Sequence, residues 1–154
     1  MIKNDRQYRI TKSQAQKFEQ ALGALTSRAK SELRKLQEAA LRSQLEELRA
    51  ELAQYEGLQS GAQKVFEVAT LSELPTALIQ ARIALGLSQK DLAERLKCKE
   101  QQVQRYEATD YESASLKRIQ EVIAALGVKV SERVVLPSED ITLSQLLKNL
   151  RNGG

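Results

Sequence analysis

The sequence predicts a mainly α protein, in which a long amphipathic helical region precedes a small domain of short helices. Three observations predict this class. Helix-forming residues (Ala, Leu, Gln, Glu, Lys and Arg) dominate the 154 positions. Apolar residues recur at steps of three and four over most of the first 55 positions, as they do on one face of a helix. Beyond position 70, residues that favour helix ends are spaced for several short helices.

The N-terminal region is predicted to be one long helix. Residues 2–10 form either a short strand or an arm without regular structure, and a capping box of Thr11 and Gln14 predicts that the helix begins there. Its apolar stripe breaks once, by a shift of one residue, between Ala40 and Leu41. The stripe consists of Ala15, Phe18, Leu22, Leu25, Ala29, Leu33, Leu36, Ala40, Leu41, Leu45, Leu48, Leu52 and Tyr55. Unbroken, residues 11–56 would span roughly 65–70 Å at 1.5 Å per residue.

A stripe of this length has to be covered by other apolar surface. A second copy of the chain can cover it in a two-fold dimer, which is the interpretation we favour. The alternatives are a hairpin within one chain, bent near Gly23 or at Thr26 and Ser27, and packing against the downstream domain. Residues 1–60 are therefore assigned to dimerisation or partner binding, and residues 61–74 to a linker.

Residues 75–127 are predicted to form a compact domain of short helices. Proline is tolerated in a first helical turn, serine caps helix N-termini, and glycine ends helices. The boundaries predicted in this way rest on Pro75, Ser88, Lys99, Ser115 or Ser113, and Gly127. Residues 128–135 are mostly β-branched and predict a strand, whose partner is a symmetry mate or residues 64–70. A final amphipathic helix capped by Thr142 completes a C-terminal strand-and-helix unit, residues 128–154.

Residues 87–107 have the layout of two short helices joined by a tight turn. This stretch, and more loosely residues 75–127, resembles the Cro/cI-type (XRE) helix-turn-helix family of phage repressors and bacterial regulators. The resemblance covers about a third of the chain and rests on Arg82, Gly86, Leu87, Ser88, Gln89, Leu92, Ala93, Leu96, Val103 and Glu107. Two positions depart from the family: Lys97 replaces its glycine, and Lys99 its serine or threonine. Lys97 must therefore adopt a backbone conformation that glycine favours.

The resemblance implies a lambda-repressor-like fold whose second helix, residues 99–107, enters the major groove of double-stranded DNA. It implies that Gln89 binds a phosphate and that Arg82 and Glu107 form a structural ion pair. Gln101 can bond adenine and Arg105 guanine, each through two hydrogen bonds. The predicted DNA-binding residues are Gln89, Lys90, Lys99, Glu100, Gln101, Gln102, Gln104 and Arg105.

Glu100 is the least favourable member of this set, because phosphates repel a carboxylate. It can still accept from cytosine N4 or orient Arg105 at a distance. In the following loop, Tyr111 and Thr109 can touch phosphate, whereas Tyr106 is assigned to the core. Lys99 and Lys90 are expected to bind DNA phosphates.

A single helix-turn-helix binds weakly, and two half-sites need a two-fold dimer. The predicted function is therefore a homodimeric repressor of a palindromic operator. One alternative is a HigA-type antitoxin, in which the N-terminal region binds a toxin protein and the domain binds its own promoter. Another is a helical scaffold that no longer binds DNA, which the near-neutral charge of residues 75–127 and Glu100 favour.

The composition argues against other classes of protein. With no His and one Cys, we expect no metal site and no His-based catalysis, and no cofactor motif is present. An enzyme is therefore the least favoured class. Cys98 suits a small buried residue better than a reactive thiol. The N-terminus has no apolar run for secretion or membrane spanning, which predicts a cytoplasmic protein. Residues 1–30 contain seven basic and two acidic residues, typical either of a phosphate-contacting arm or of a solvated tail.

Overall fold

The computed structural model describes residues 1–26 and 31–131, together with residues 133 and 136. In this part of the chain it contains six α-helices and one 3-10 turn. They are α1 (Asp5–Thr26), α2 (Glu32–Gln59), the 3-10 turn (Leu71–Glu73), α3 (Leu74–Ala84), α4 (Gln89–Arg95), α5 (Glu100–Ala108) and α6 (Leu116–Leu126). The prediction of a mainly α fold is confirmed. Residues 128–131 and 133 are not in a strand. Residues 132, 134 and 135 of the predicted strand, and the predicted helix after Thr142, lie outside the described residues.

The first helix begins earlier than predicted. Residues 5–10 belong to α1, so the prediction of a strand or an irregular arm over residues 2–10 was wrong there, as was the capping box at Thr11. The cap is supplied by Asn4, whose Oδ1 accepts a hydrogen bond from the backbone N–H of Gln7. Ile2 is 2% exposed and belongs to the hydrophobic core. Tertiary burial of Ile2 thus fixes the chain just before the helix.

The long N-terminal region is a helical hairpin and not one rod. Helices α1 and α2 pack along each other. Helix α1 ends at Thr26 and α2 begins at Glu32, close to the bend that the hairpin alternative places at Thr26 and Ser27. The shift in the apolar stripe now has a physical explanation. Leu45 and Tyr55 of the second half are buried, whereas Leu33 and Leu36 of the first half are 66% and 69% exposed. The two halves of the stripe lie on different faces of α2.

The short helices begin and end at the predicted signals. Pro75 lies in the first turn of α3, Ser88 caps α4 with a capping box closed by Asp91, and Ser115 caps α6. Gly127 follows α6 with a φ of 69°, in the left-handed region that favours glycine. These local signals confirm the predicted order of helices in the helix-turn-helix region.

One hydrophobic core joins the hairpin to the short helices. Buried residues of α2, such as Tyr55 and Leu58, belong to the same cluster as Ile79 of α3, Val103 of α5 and Val122 of α6. The hairpin is therefore packed against the small domain and is fixed relative to it. No helix in residues 1–26 or 31–131 is long and apolar enough to cross a membrane.

Candidate nucleic-acid interface

Helices α4 and α5 are joined by a tight turn with a left-handed residue. Lys97 has a φ of 53°, so the position where the resembling family has glycine does adopt glycine's conformation. The backbone N–H of Cys98 donates to the carbonyl of Ala93 at 2.9 Å, and the N–H of Lys97 donates to Glu94 at 3.1 Å. Lys99 is then the N-cap of α5. The turn fixes the angle between the two helices and presents the start of α5 to solvent.

An open depression lies beside this turn and is surrounded by positive charge. Its lining residues are Lys97, Cys98, Lys99, Gln101, Gln102, Arg105 and Arg118. Four of the eight predicted site residues meet here, and none of the lining residues is acidic. Arg118 comes from α6 and was not predicted, because nothing in the sequence shows that it folds back beside α5. Its Nη1 lies 2.8 Å from Oε2 of Glu121, and its guanidinium lies 5.8 Å from the ring centroid of Tyr106.

The predicted base-reading side chains on this face are exposed and unengaged. Gln101, Gln102 and Arg105 are exposed on α5, with Val103 between them buried in the core. Within the described part of the chain, no hydrogen bond or salt bridge engages the side chains of Gln101, Gln102, Arg105 and Lys99. Their donors and acceptors are therefore available to a ligand. Free amide and guanidinium groups can hydrogen-bond the edges of DNA bases, and the surrounding cations can bind the phosphates on either side.

Glu100 and Gln104 lie apart from this depression. Oε1 of Glu100 accepts a hydrogen bond of 2.9 Å from Nε2 of Gln104, one helical turn on. The side-chain partner of Glu100 in the structure is therefore Gln104 and not Arg105. The pair instead lines a second cleft, which the start of α1 closes on its other side.

Gln89 is buried, with an exposed fraction of 6%. Its Nε2 donates to Oε2 of Glu107 at 2.8 Å, and its Oε1 accepts from Nδ2 of Asn4 at 3.1 Å. Both ends of the amide are thus engaged inside the protein. A phosphate accepts hydrogen bonds, so the contact that the resemblance implies would have to use an N–H of Nε2, which in the structure donates to Glu107 inside the protein.

The remaining predicted site residue, Lys90, is exposed on the first turn of α4. Beside it, Asp91 accepts hydrogen bonds from the hydroxyl and the backbone N–H of Ser88, at 2.6 and 2.7 Å, and these hold the pKa of its carboxyl below the usual value. Asp91 therefore stays ionised and closes the capping box.

Cys98 is half-buried against the core, which agrees with the packing role expected for it.

Two stacked tyrosines and a buried ion pair lie behind the exposed face of α5. Tyr106 and Tyr111 stack with ring centroids 5.8 Å apart, and Tyr111 is buried. A phosphate contact by the Tyr111 ring is therefore not available, whereas Thr109 is exposed. The expected pair of Arg82 and Glu107 is confirmed: Nε and Oε1 lie 2.6 Å apart.

Comparison with family models matches residues 78–133 to the family described as helix-turn-helix. The matched segment contains α4, the turn and α5, which are the elements that form the basic depression. No curated protein and no solved structure matches the chain. Residues 78–133 are thus a Cro/cI-type helix-turn-helix, a DNA-binding domain of transcription regulators and not of an enzyme family.

Proposed function

From the membership of residues 78–133 in the Cro/cI-type helix-turn-helix family, we propose that this chain is a sequence-specific repressor. It binds a palindromic operator as a homodimer, in the compartment that holds the DNA. The observation that carries the proposal is the row of unengaged side chains on α5 beside a depression lined by cations and no acid. Helix α5 enters the major groove, and the surrounding cations meet the phosphates of both flanking strands.

Base reading is assigned to Gln101 and Arg105. An amide can bond N6 and N7 of adenine, and a guanidinium can bond O6 and N7 of guanine. Each such pair contributes about 1–3 kcal/mol of discrimination against the wrong base. Lys97, Lys99 and Arg118 line the same depression and suit phosphate oxygens, which fix register and orientation.

The dimer is proposed because one helix-turn-helix module contacts too few bases for tight binding. Two copies related by a two-fold axis reach half-sites about 34–36 Å apart. The hairpin already covers much of its own apolar stripe, so the second copy is not needed to bury Leu45 or Tyr55. Exposed apolar side chains remain at Leu33 and Leu36 of α2, and they support the assignment of the hairpin to contact between copies.

The test is selection of bound sequences from random duplex DNA by the full chain, at two protein concentrations. We expect a palindromic consensus, which reports both specificity and two-fold symmetry. The double variant Gln101→Ala with Arg105→Ala should lose the consensus while its helical circular dichroism is unchanged. Retention of the same consensus by this variant would overturn the assignment of α5 as the reader.

A matched control removes the same two kinds of side chain elsewhere. Gln54→Ala with Arg9→Ala changes one exposed amide on α2 and one exposed guanidinium on α1, both outside the matched segment. This variant should select the wild-type consensus. Sedimentation of the chain with and without the selected duplex then tests the homodimer, since a complex of one chain per operator contradicts it.

A second candidate is an antitoxin of the HigA type, which would bind a small toxin protein and its own promoter. The observation that favours it is the exposed apolar surface of the hairpin, with Leu33 and Leu36 one helical turn apart. Co-expression with the product of a neighbouring small reading frame tests it. Rescue of growth by the wild type, and its loss in Leu33→Asp with Leu36→Asp, is the expected result, whereas unchanged rescue contradicts the hairpin's role.

A further inference from the structure

A cleft of about 950 Å³ separates the start of α1 from the helix-turn-helix. Its α1 side is formed by Arg6, Gln7 and Ile10, and its opposite side by Ser88, Gln89, Glu100, Gln104 and Ala108. The cleft therefore lies directly beside the proposed reading helix. Its α1 wall comes from residues outside the segment that matches the helix-turn-helix family.

The two sides of the cleft are held at a fixed distance by a network at its base. Nδ2 of Asn4 donates to Oε1 of Gln89 at 3.1 Å. Nη2 of Arg82 donates to the carbonyl of Lys3 at 2.6 Å, and Nζ of Lys3 lies 2.9 Å from Oδ1 of Asp110. Two residues before α1, Lys3 and Asn4, thus bind three different parts of the helix-turn-helix. A ligand in the cleft would meet α1 and α5 already in position, with little ordering left to do.

Arg6 is the cation of the cleft that has no counter-charge. Arg82 is paired with Glu107, and Lys3 is paired with Asp110. Arg6 is exposed and forms no side-chain hydrogen bond or salt bridge with any described residue. Its guanidinium is therefore free for an anion.

The two carboxylates that line the cleft are held by neutral donors. The carboxylate of Asp5 accepts from the hydroxyl of Tyr55 at 2.8 Å and from Nε2 of Gln59 at 3.3 Å. Both partners belong to α2, so this carboxylate faces α2 and not the guanidinium of Arg6. Glu100 accepts from Gln104. Because a carboxylate repels a phosphate, any phosphate in the cleft is expected at its Arg6 end.

The engaged amide of Gln89 indicates which ligand the cleft binds. In this chain its amide is engaged by Asn4 and Glu107, so the side chain that the resembling family uses for phosphate is not free. We propose that Arg6 at the start of α1 takes over this contact, and that the cleft seats one strand of the DNA backbone beside the reading helix. This inference rests on the proposed function. It extends the DNA-binding surface of the protein beyond the helix-turn-helix to the N-terminal hairpin.

The experiment compares Arg6→Ala with Arg9→Ala in the full chain. Both variants remove one exposed guanidinium from α1, but only Arg6 lines the cleft. Dissociation constants are measured at several salt concentrations on the selected operator and on a random duplex. Arg6→Ala should weaken both by about five- to tenfold per bound copy, and the slope of log Kobs against log salt should fall by about 0.9 per copy.

Arg9→Ala should bind as the wild type does, and Arg6→Lys should recover most of the lost affinity and the slope. Equal effects of the two alanine variants, or none from Arg6→Ala, would overturn the inference while leaving the proposed function intact. A changed consensus with Arg6→Ala would also overturn it, because a phosphate ligand does not read sequence. If the wild-type chain binds no DNA, the proposed function itself fails, and the inference fails with it.

Discussion

Arg82 of α3 and Glu107 of α5 are joined by two hydrogen bonds, from Nε to Oε1 at 2.6 Å and from Nη2 to Oε2 at 2.7 Å. The exposed fractions of the two side chains are 3% and 0%. The remaining polar atoms are also engaged: Nη1 of Arg82 donates to the carbonyl of Leu87, and Oε2 of Glu107 also accepts from Gln89. This pair sets the position of the reading helix against α3, because a buried bidentate pair admits one geometry.

Loss of Arg82 should therefore destabilise the protein strongly. Arg82→Ala leaves the carboxylate of Glu107 buried without its counter-charge, and we expect a loss of about 3–5 kcal/mol in the free energy of unfolding. Urea unfolding followed by circular dichroism measures it. As a control, Glu38→Ala removes an exposed pair with Arg42 on α2 and should cost no more than about 0.5 kcal/mol. A loss below about 1 kcal/mol for Arg82→Ala would contradict the role assigned to the pair.

The double variant Arg82→Met with Glu107→Leu separates charge from packing. It removes both charges and keeps apolar volume, so it should recover much of the stability that Arg82→Ala loses. The hydrogen bonds from Arg82 to the carbonyls of Lys3 and Leu87 are also lost, so full recovery is not expected. A double variant as unstable as Arg82→Ala would show that the cost comes from hydrogen bonds lost at those carbonyls and at Gln89, and not from the unpaired carboxylate.

Lys97 should be replaceable by glycine with a gain in stability. A left-handed backbone costs a residue with a Cβ roughly 1–2 kcal/mol, and glycine adopts it freely but loses more entropy on folding. We expect Lys97→Gly to raise the free energy of unfolding by about 0.5–1 kcal/mol. Lys97→Ala keeps the strain and should give no such gain. Because Lys97 lines the basic depression, both variants should weaken DNA binding equally. A stabilising Lys97→Ala would contradict the explanation by backbone strain.

Most of the helix-turn-helix could be predicted because its boundaries depend on nearby residues. Ser88 caps α4 through Asp91, three positions on, and Gly127 ends α6 by its own backbone conformation. The exposed positions of α5 follow from the periodicity around Val103. Such signals extend over one helical turn, so they do not depend on how the rest of the chain folds.

The remaining features depend on residues distant in the sequence. Gln89 is buried because Asn4, 85 positions earlier, lies against it. Arg118 reaches the basic depression because α6 packs beside the turn. Periodicity also shows which residues of a helix share a face, but not what covers that face. The stripe of α2 is therefore compatible both with a dimer and with the hairpin, and its one-residue shift at Leu41 is explained only by the packing of α1 against α2.

The buried tyrosines predict lower stability in alkali. Burial, with the charge of Glu107 adding to it, raises the pKa of Tyr111 above the ordinary value of 10.0. Burial, with the hydrogen bond to Asp5, likewise raises the pKa of Tyr55. The unfolded chain therefore loses these protons first, so their contribution is complete below about pH 10 and falls as the pH rises further.

Each buried tyrosine should lower the free energy of unfolding by at most about 1.4 kcal/mol per pH unit in this range. Denaturant unfolding at pH 9.5 and pH 11 measures the fall, and tyrosinate absorbance follows ionisation directly. Tyr111→Phe removes the titrating group, so its stability should fall less than that of the wild type over the same interval. An equal fall in both proteins would show that the pKa of Tyr111 is not raised in the folded protein.

The hairpin and the helix-turn-helix should unfold as one cooperative unit. Leu58 of α2 is buried in the cluster that also contains Val103 of α5, whereas Leu36 of α2 is exposed. Leu58→Ala should therefore lower the free energy of unfolding by about 2–5 kcal/mol, and Leu36→Ala by no more than about 0.5 kcal/mol. Because the core is continuous, Leu58→Ala should speed amide hydrogen exchange in α5 by the same factor as in α2. Faster exchange in α2 alone would show that the hairpin and the helix-turn-helix unfold separately, and would then remove the fixed geometry on which the placement of Arg6 depends.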